Sequence, residues 1–201
     1  LLDGMLQDYL ERGRWGYLDG ATSAREQSAL QLARSCNFDE THARWMTRLA
    51  LSLFDSAREI GLHRYGAQER ELLYFAGLLH DIGLFLSFSN HHEHTRYMIE
   101  NAELLGFHRG EIEIIATSAS MHRKWSPRKL QKGQKQAAPS LSDEQWELAA
   151  TLGLFLRMAE CLERSQQQTV TDARLEPRGK KYALRVELLR DSPAELLSIL
   201  D

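Results

Sequence analysis

The 201-residue sequence has only two cysteines, Cys36 and Cys161. They follow no metal-binding or redox spacing and are read as packed free thiols without visible chemistry. No stretch of about 18 apolar residues is present, so there is no candidate for a membrane-spanning helix. The opening LLDGMLQDYL has neither the charged start nor the small-residue cleavage pattern of a signal peptide. A cytoplasmic chain without a membrane partner is expected. GxGxxG, a phosphate loop ending in GKS or GKT, and a GxSxG elbow are all missing, which removes three familiar catalytic templates. The aromatic interleaving of single-strand nucleic-acid binders is missing too, and no specific nucleic-acid partner is expected. There is no internal repeat.

Acidic residues are absent between Ile114 and Ser142, whereas Arg123, Lys124, Arg128, Lys129, Lys132 and Lys135 are all basic. Against a net charge of only −3, such a run attracts polyanions. Pro127, Gly133 and Pro139 make it a loop rather than a charged helix face. The chain opens on Leu1 without an initiator methionine and stops at Asp201, just after Ser192 and Pro193 begin what has the character of a helix. A fragment of a larger protein is expected.

What is present, 43% hydrophobic and 26% charged residues, describes one globular domain with room for a sizeable core. Its periodicity is mostly helical. After Asn37-Phe38-Asp39, a capping stretch, the residues Met46, Leu49, Ala50, Leu53, Ala57 and Ile60 recur at helical spacing. A second helix runs through Leu72, Phe75, Ala76 and Leu79, with Gly83 as its stop. A third starts near Asn90 and ends before Gly106. Ile112, Ile115, Ala116 and Ala119 mark a fourth, and Ser142 with Gln145 forms the capping box of a fifth, from Asp143 to about Ser165. Thr169 to Thr171 and Tyr182 to Val186 flank the turn-like Pro177-Arg178-Gly179 and are read as a hairpin. The fold class expected is mainly α, a helical bundle with a C-terminal β-hairpin appendage. Residues 1–24 are expected to be a connector, 25–168 the helical domain, and 169–201 the hairpin followed by the start of a truncated helix.

Helical spacing also says where the polar residues point. His42 lies four before Met46, His80 four after Ala76, His122 three after Ala119, and Glu160 continues the series Ala149, Leu152, Gly153 and Leu156. Four helices thus each aim a titratable group at the core. Unsatisfied, each would cost on the order of 1–3 kcal/mol, so they are expected to meet one another or to share an ion. Imidazoles and carboxylates suit Zn, Mn, Fe or Mg, and a helix bundle is a usual scaffold for them. A metal-free network of His, Asp and Glu hydrogen bonds satisfies the same groups. In His91-His92-Glu93-His94, the residues His91 and His94 share a helix face. This cluster extends the centre to a second metal, holds phosphate at a helix N-terminus, or is a solvated helix start.

His42, His80-Asp81 and an acidic residue on a late helix resemble the HD phosphohydrolase superfamily, whose signature is His, His-Asp and Asp around a metal. CNFDETHARWMTRLALSLFD, LLHDIGLFLSFSNHHEHTRYMIENAELLGF, EIEIIATSASMHRKWSP and LRMAECLERS, in this order, resemble the C-terminal HD-like region of the Ppx/GppA (exopolyphosphatase / guanosine pentaphosphate phosphohydrolase) family. LLDGMLQDYL is similar to the end of that family's preceding actin-like phosphatase domain. The resemblance covers nearly the whole chain and implies an HD-domain-like bundle, with the actin-like domains missing from this chain but joined to it in cis.

It further implies a divalent metal, Mg, Mn, Fe or Zn, held by His42, His80, Asp81 and Glu160, with Asp81 as the catalytic residue if the centre is catalytic. Glu160 departs from the Asp usual at that position, and its extra methylene moves the carboxylate by about 1.5 Å. His91, His92, His94 and His122 are possible further ligands of metal or phosphate. Arg123, Lys124, Arg128 and Lys129 would bind polyphosphate. The function implied is an accessory domain of an exopolyphosphatase or pppGpp phosphatase, with polyphosphate or guanosine polyphosphate as partner and a homodimer as assembly. Two alternatives stay open: an autonomous HD phosphohydrolase of nucleotides or phosphate esters, and a metal-free dimerisation and polyanion-binding module.

Overall fold

A computed structural model of the protein describes residues 23–124 and 140–189. Six α-helices are followed by one hairpin: α1 Ala24–Ser35, α2 Glu40–Glu59, α3 Ala67–Leu79, α4 His91–Glu100, α5 Arg109–Lys124, α6 Asp143–Leu162, β1 Val170–Arg178 and β2 Lys181–Leu188. A 3-10 turn, Ile82–Phe85, links α3 to the approach to α4. The mainly helical fold with a small C-terminal antiparallel hairpin is as expected. Most of the expected connector, the basic segment 125–139 and the expected helix start at Ser192 lie outside the described residues.

The caps form where the side chains can supply them. Asp39 accepts from His42 N at the start of α2, and Ser142 and Gln145 bond reciprocally at the start of α6. The periodic residues of α2 then bury: Met46, Leu49, Ala50, Leu53 and Ala57 are wholly inaccessible. Leu73, Leu79, Ile115, Leu152 and Leu156 meet them from α3, α5 and α6. Each large side chain so buried contributes on the order of 1.5–3 kcal/mol.

Helix α1 was not anticipated. Its buried side chains are mainly the small Ala29 and Ala33 with Leu30, too little apolar bulk to give a clear period. It is fastened by polar groups instead: Arg25 pairs with Glu71 of α3 and Glu111 of α5, and the Tyr74 hydroxyl donates to Glu26 at 2.9 Å.

The hairpin lies on α2 rather than free. Trp45 Nε1 donates to Val170 O at 2.8 Å, Ser52 Oγ to Asp172 at 2.6 Å, and Leu175 N to Ser56 Oγ at 3.0 Å. Val170 and Ala173 are wholly buried and belong to the same core as the helices.

Two expectations are corrected. Gly83 does not stop the second helix, which ends at Leu79 with His80 as its C-cap. Gly83 is needed for close approach: a Cβ there would lie 2.1 Å from His91 O and 2.4 Å from Thr95 N, inside the backbone of α4. The thiols also differ from expectation, since Cys36 is buried but Cys161 is exposed.

Candidate metal centre

The centre forms where four helices, the C-cap of a fifth and the turn after it bring their polar groups together. His42 sits in the first turn of α2, His80 at the end of α3, Asp81 just beyond it, His91 at the first position of α4, His122 near the end of α5 and Glu160 near the end of α6. All four histidines are buried, while Asp81 and Glu160 keep 19% and 16% of their side chains exposed, so the centre is shielded but reachable. The turn is held by Thr95, whose hydroxyl donates to His80 O at 2.9 Å and accepts from Gly83 N at 3.0 Å.

Two groups of ligand-type atoms result. His42, His80 and Glu160 form one, and Asp81, His91 and His122 the other. In the first, Glu160 Oε2 is 3.7 Å from His42 Nε2 and 3.8 Å from His80 Nε2. In the second, Asp81 Oδ1 is 3.4 Å from His91 Nε2 and 3.3 Å from His122 Nε2. The other oxygen of Asp81, Oδ2, stands 3.4 Å from His80 Nε2, so this carboxylate turns one oxygen towards each group.

Three imidazoles have their tautomer set by the backbone. His80, His91 and His122 place Nδ1 at 2.8, 2.9 and 2.7 Å from the carbonyls of Gly77, Phe88 and Ala119. Because a carbonyl only accepts, each Nδ1 carries the hydrogen and, in the neutral ring, each Nε2 presents a lone pair. His91 Nε2 and His122 Nε2 nevertheless stand 3.1 Å apart. Two lone pairs at that distance repel unless a proton or a cation lies between them. Burial holds the His91 pKa below its usual range, against the Phe88 carbonyl and Asp81, so this ring is disposed to stay neutral with its Nε2 lone pair available to a cation.

The remaining electrostatics agree. Burial opposes the charge on Asp81, but His80 and His122 outweigh it and hold the carboxyl far below the usual carboxylate range. Burial likewise opposes the charge on Glu160, which His42 and His80 keep ionised. At His80 burial works against the charged ring, while Asp81 and Glu160 raise its pKa overall, so a proton and a cation compete for Nε2.

A divalent ion fits this donor set. His42 Nδ1 and Nε2, His80 Nε2, Asp81 Oδ1 and Glu160 Oε2 are buried without a hydrogen-bond partner among the described residues. Each such group costs about 1–3 kcal/mol. Bonds of about 2.1 Å put neighbouring ligand atoms roughly 3.0–3.4 Å apart in octahedral and tetrahedral sites, the spacing of the second group. The first group is slightly wider.

The sequence profile described as Ppx/GppA phosphatase, domain III matches residues 24–195. The chain belongs to the Ppx/GppA phosphatase family. The match covers every element of this domain III, from α1 to β2. It is also similar to proteins named guanosine-5′-triphosphate,3′-diphosphate pyrophosphatase. That of Aeromonas hydrophila subsp. hydrophila is 29% identical over 147 residues, 71% of this chain and 28% of the relative. That of Aeromonas salmonicida is 28% identical over 145 residues, with the same coverage. That of Pseudoalteromonas translucida is 37% identical over 62 residues, 31% of this chain and 12% of the relative. The chain spans less than a third of the length of the curated relatives it matches.

Within this domain III, the expected residues divide. His42, His80, Asp81 and Glu160 converge, joined by His91 and His122, while His92 and His94 are in neither group. His91 differs from its neighbours because it alone of the three is buried, and its Nδ1 folds back on Phe88 O. Arg123 places its Nε 3.9 Å from Glu160 Oε1 with its guanidinium over the Phe88 ring. Lys124 ends α5, and Arg128 and Lys129 lie outside the described residues. Thr95 and the packing role of Gly83 were missed; a glycine two residues after His80-Asp81 was the available signal.

Proposed function

We propose that this domain III holds two divalent ions, one at His42, His80 and Glu160 and one at Asp81, His91 and His122, and that it serves a hydrolase of phosphoanhydride bonds. The observation that carries the reading is the meeting of the His91 and His122 Nε2 lone pairs at 3.1 Å beside Asp81, which a cation relieves. A metal-free network would need a proton shared between those two rings, and it would still leave the orphaned atoms of His42 and Glu160 without hydrogen bonds. The names of the relatives support guanosine polyphosphate as the substrate of the whole protein, and the basic residues from Arg123 to Lys129 support a polyanion, polyphosphate included.

When bound, divalent ions supply Lewis acidity and an acidic water at neutral pH. The chain's own residues orient and balance that chemistry. Asp81 turns an oxygen to each group and fixes their separation. The carbonyls of Gly77, Phe88 and Ala119 hold three imidazoles in the ligating tautomer. Arg123, stacked on Phe88, offers a guanidinium to phosphate oxygens beside Glu160.

Elemental analysis of protein loaded with Mn²⁺ at neutral pH tests this. About two equivalents per chain are expected in the unaltered protein, about one in His91→Ala, and less than one in Asp81→Ala. Loaded protein that retains no metal after desalting contradicts the ligand assignment. Phosphate release from guanosine pentaphosphate by this chain alone then separates hydrolysis by domain III from support of a site elsewhere in the protein.

A further inference from the structure

A cleft of about 430 Å³ opens beside the first group of ligands, and His42, His80 and Asp81 form part of its wall. This volume is in the range of pockets that enclose a small organic molecule. The wall contains neither Lys nor Arg among the described residues, and Asp39 adds a second carboxylate to that of Asp81. Among the described residues, a chain of phosphates would meet no Lys or Arg in this wall, so that its counter-charge there would come from bound metal and the imidazoles.

The rest of the wall suits a different guest. Phe38, Leu84 and Phe85 supply apolar surface, and Phe85 and Leu84 are 60% and 42% exposed. Asn37 and Gln166 supply amides, each able to donate and accept. Both adopt left-handed backbone conformations, with φ of 50° and 54°, on two loops remote in sequence. Aromatic surface for a flat ring together with amides for its edge is the chemistry that recognises a nucleobase.

We propose that this cleft receives the base of a nucleotide whose phosphate lies at the metal centre, with Phe85 and Phe38 against the ring and Asn37 and Gln166 reading its edge. The inference rests on the metal-centre reading for the phosphate but not for the base. It assigns nucleotides, rather than an inorganic phosphate chain, to this part of domain III.

Calorimetric titration tests it with defined probes. In Mn²⁺-loaded protein, guanosine 5′-monophosphate should bind at least tenfold more tightly than inorganic phosphate, and Phe85→Ser should abolish that difference while metal content stays unchanged. Phe85 is exposed, so its loss does not endanger folding. In metal-free protein, guanosine alone should bind, weaken at least tenfold in Phe85→Ser, and resist displacement by tripolyphosphate. Equal affinity for the monophosphate and inorganic phosphate, or displacement of guanosine by tripolyphosphate, overturns the proposal. Protein that takes up no metal removes the reading of the centre, and the guanosine titration still decides the cleft.

Discussion

His80 and Asp81 are costly at the end of a buried helix only while they are considered as a pair. Each has partners from other elements, Glu160 from α6 and His91 and His122 from α4 and α5, and the pair is the hinge between two ligand groups. The first group was legible because His42, His80 and Glu160 each fall on an apolar helix face. The choice of His91 over its neighbours was not, since it depends on the left-handed Asn90 that precedes α4 and turns the helix start. The residue that completes the motif, Gly83, acts through what it lacks. Gly83→Ala drives a methyl into the backbone of α4 at His91 and Thr95 and should cost about 1–3 kcal/mol, read as a lower urea midpoint at unchanged m-value. The same variant should bind less metal, because His91 moves with the start of α4; full stability would show that α4 yields without strain.

At the scale of elements, α2 was readable because its apolar residues from Met46 to Ala57 repeat over about three turns and its cap is an acid. Helix α1 was not, because alanines carry little periodic signal and its attachment is polar. That attachment has a pH signature. Burial and the neighbouring Glu26 push the Tyr74 phenol up to about 12, above its ordinary 10. A folded-state pKa above the unfolded one gives stability that is complete below pH 10 and is lost as pH rises towards 12. Alkaline unfolding should therefore steepen between pH 10 and 12, and Tyr74→Phe should flatten that part of the stability curve. An identical pH profile in the variant would mean that α1 is held by Arg25 alone. Ser142→Ala, which removes one arm of the α6 capping box, should cost about 1 kcal/mol in the same denaturation assay. No loss would show that Gln145 alone suffices as a cap.

Over the whole molecule, the core and the candidate centre share the same helices, so metal and fold are linked. Four helices that each contribute a ligand separate on unfolding, and an ion that binds only the folded state stabilises it by mass action. Free Mn²⁺ at a hundredfold excess over its Kd should add about 2.7 kcal/mol for each site so filled. For a chain of this size that raises the thermal midpoint by roughly 5–10 °C, and a chelator should reverse it. Much of this scale was visible in the order of motifs along the chain, because those stretches hold both the ligands and the core. The division of the ligands into two groups was not visible, since it depends on which oxygen of Asp81 faces which helix. Anomalous diffraction at the manganese edge from crystals of the Mn²⁺-loaded protein tests that division most directly. Two peaks, one on either side of Asp81, are predicted: one among His42, His80 and Glu160, the other among Asp81, His91 and His122. No peak at either group, with manganese present in the crystal, would contradict the account.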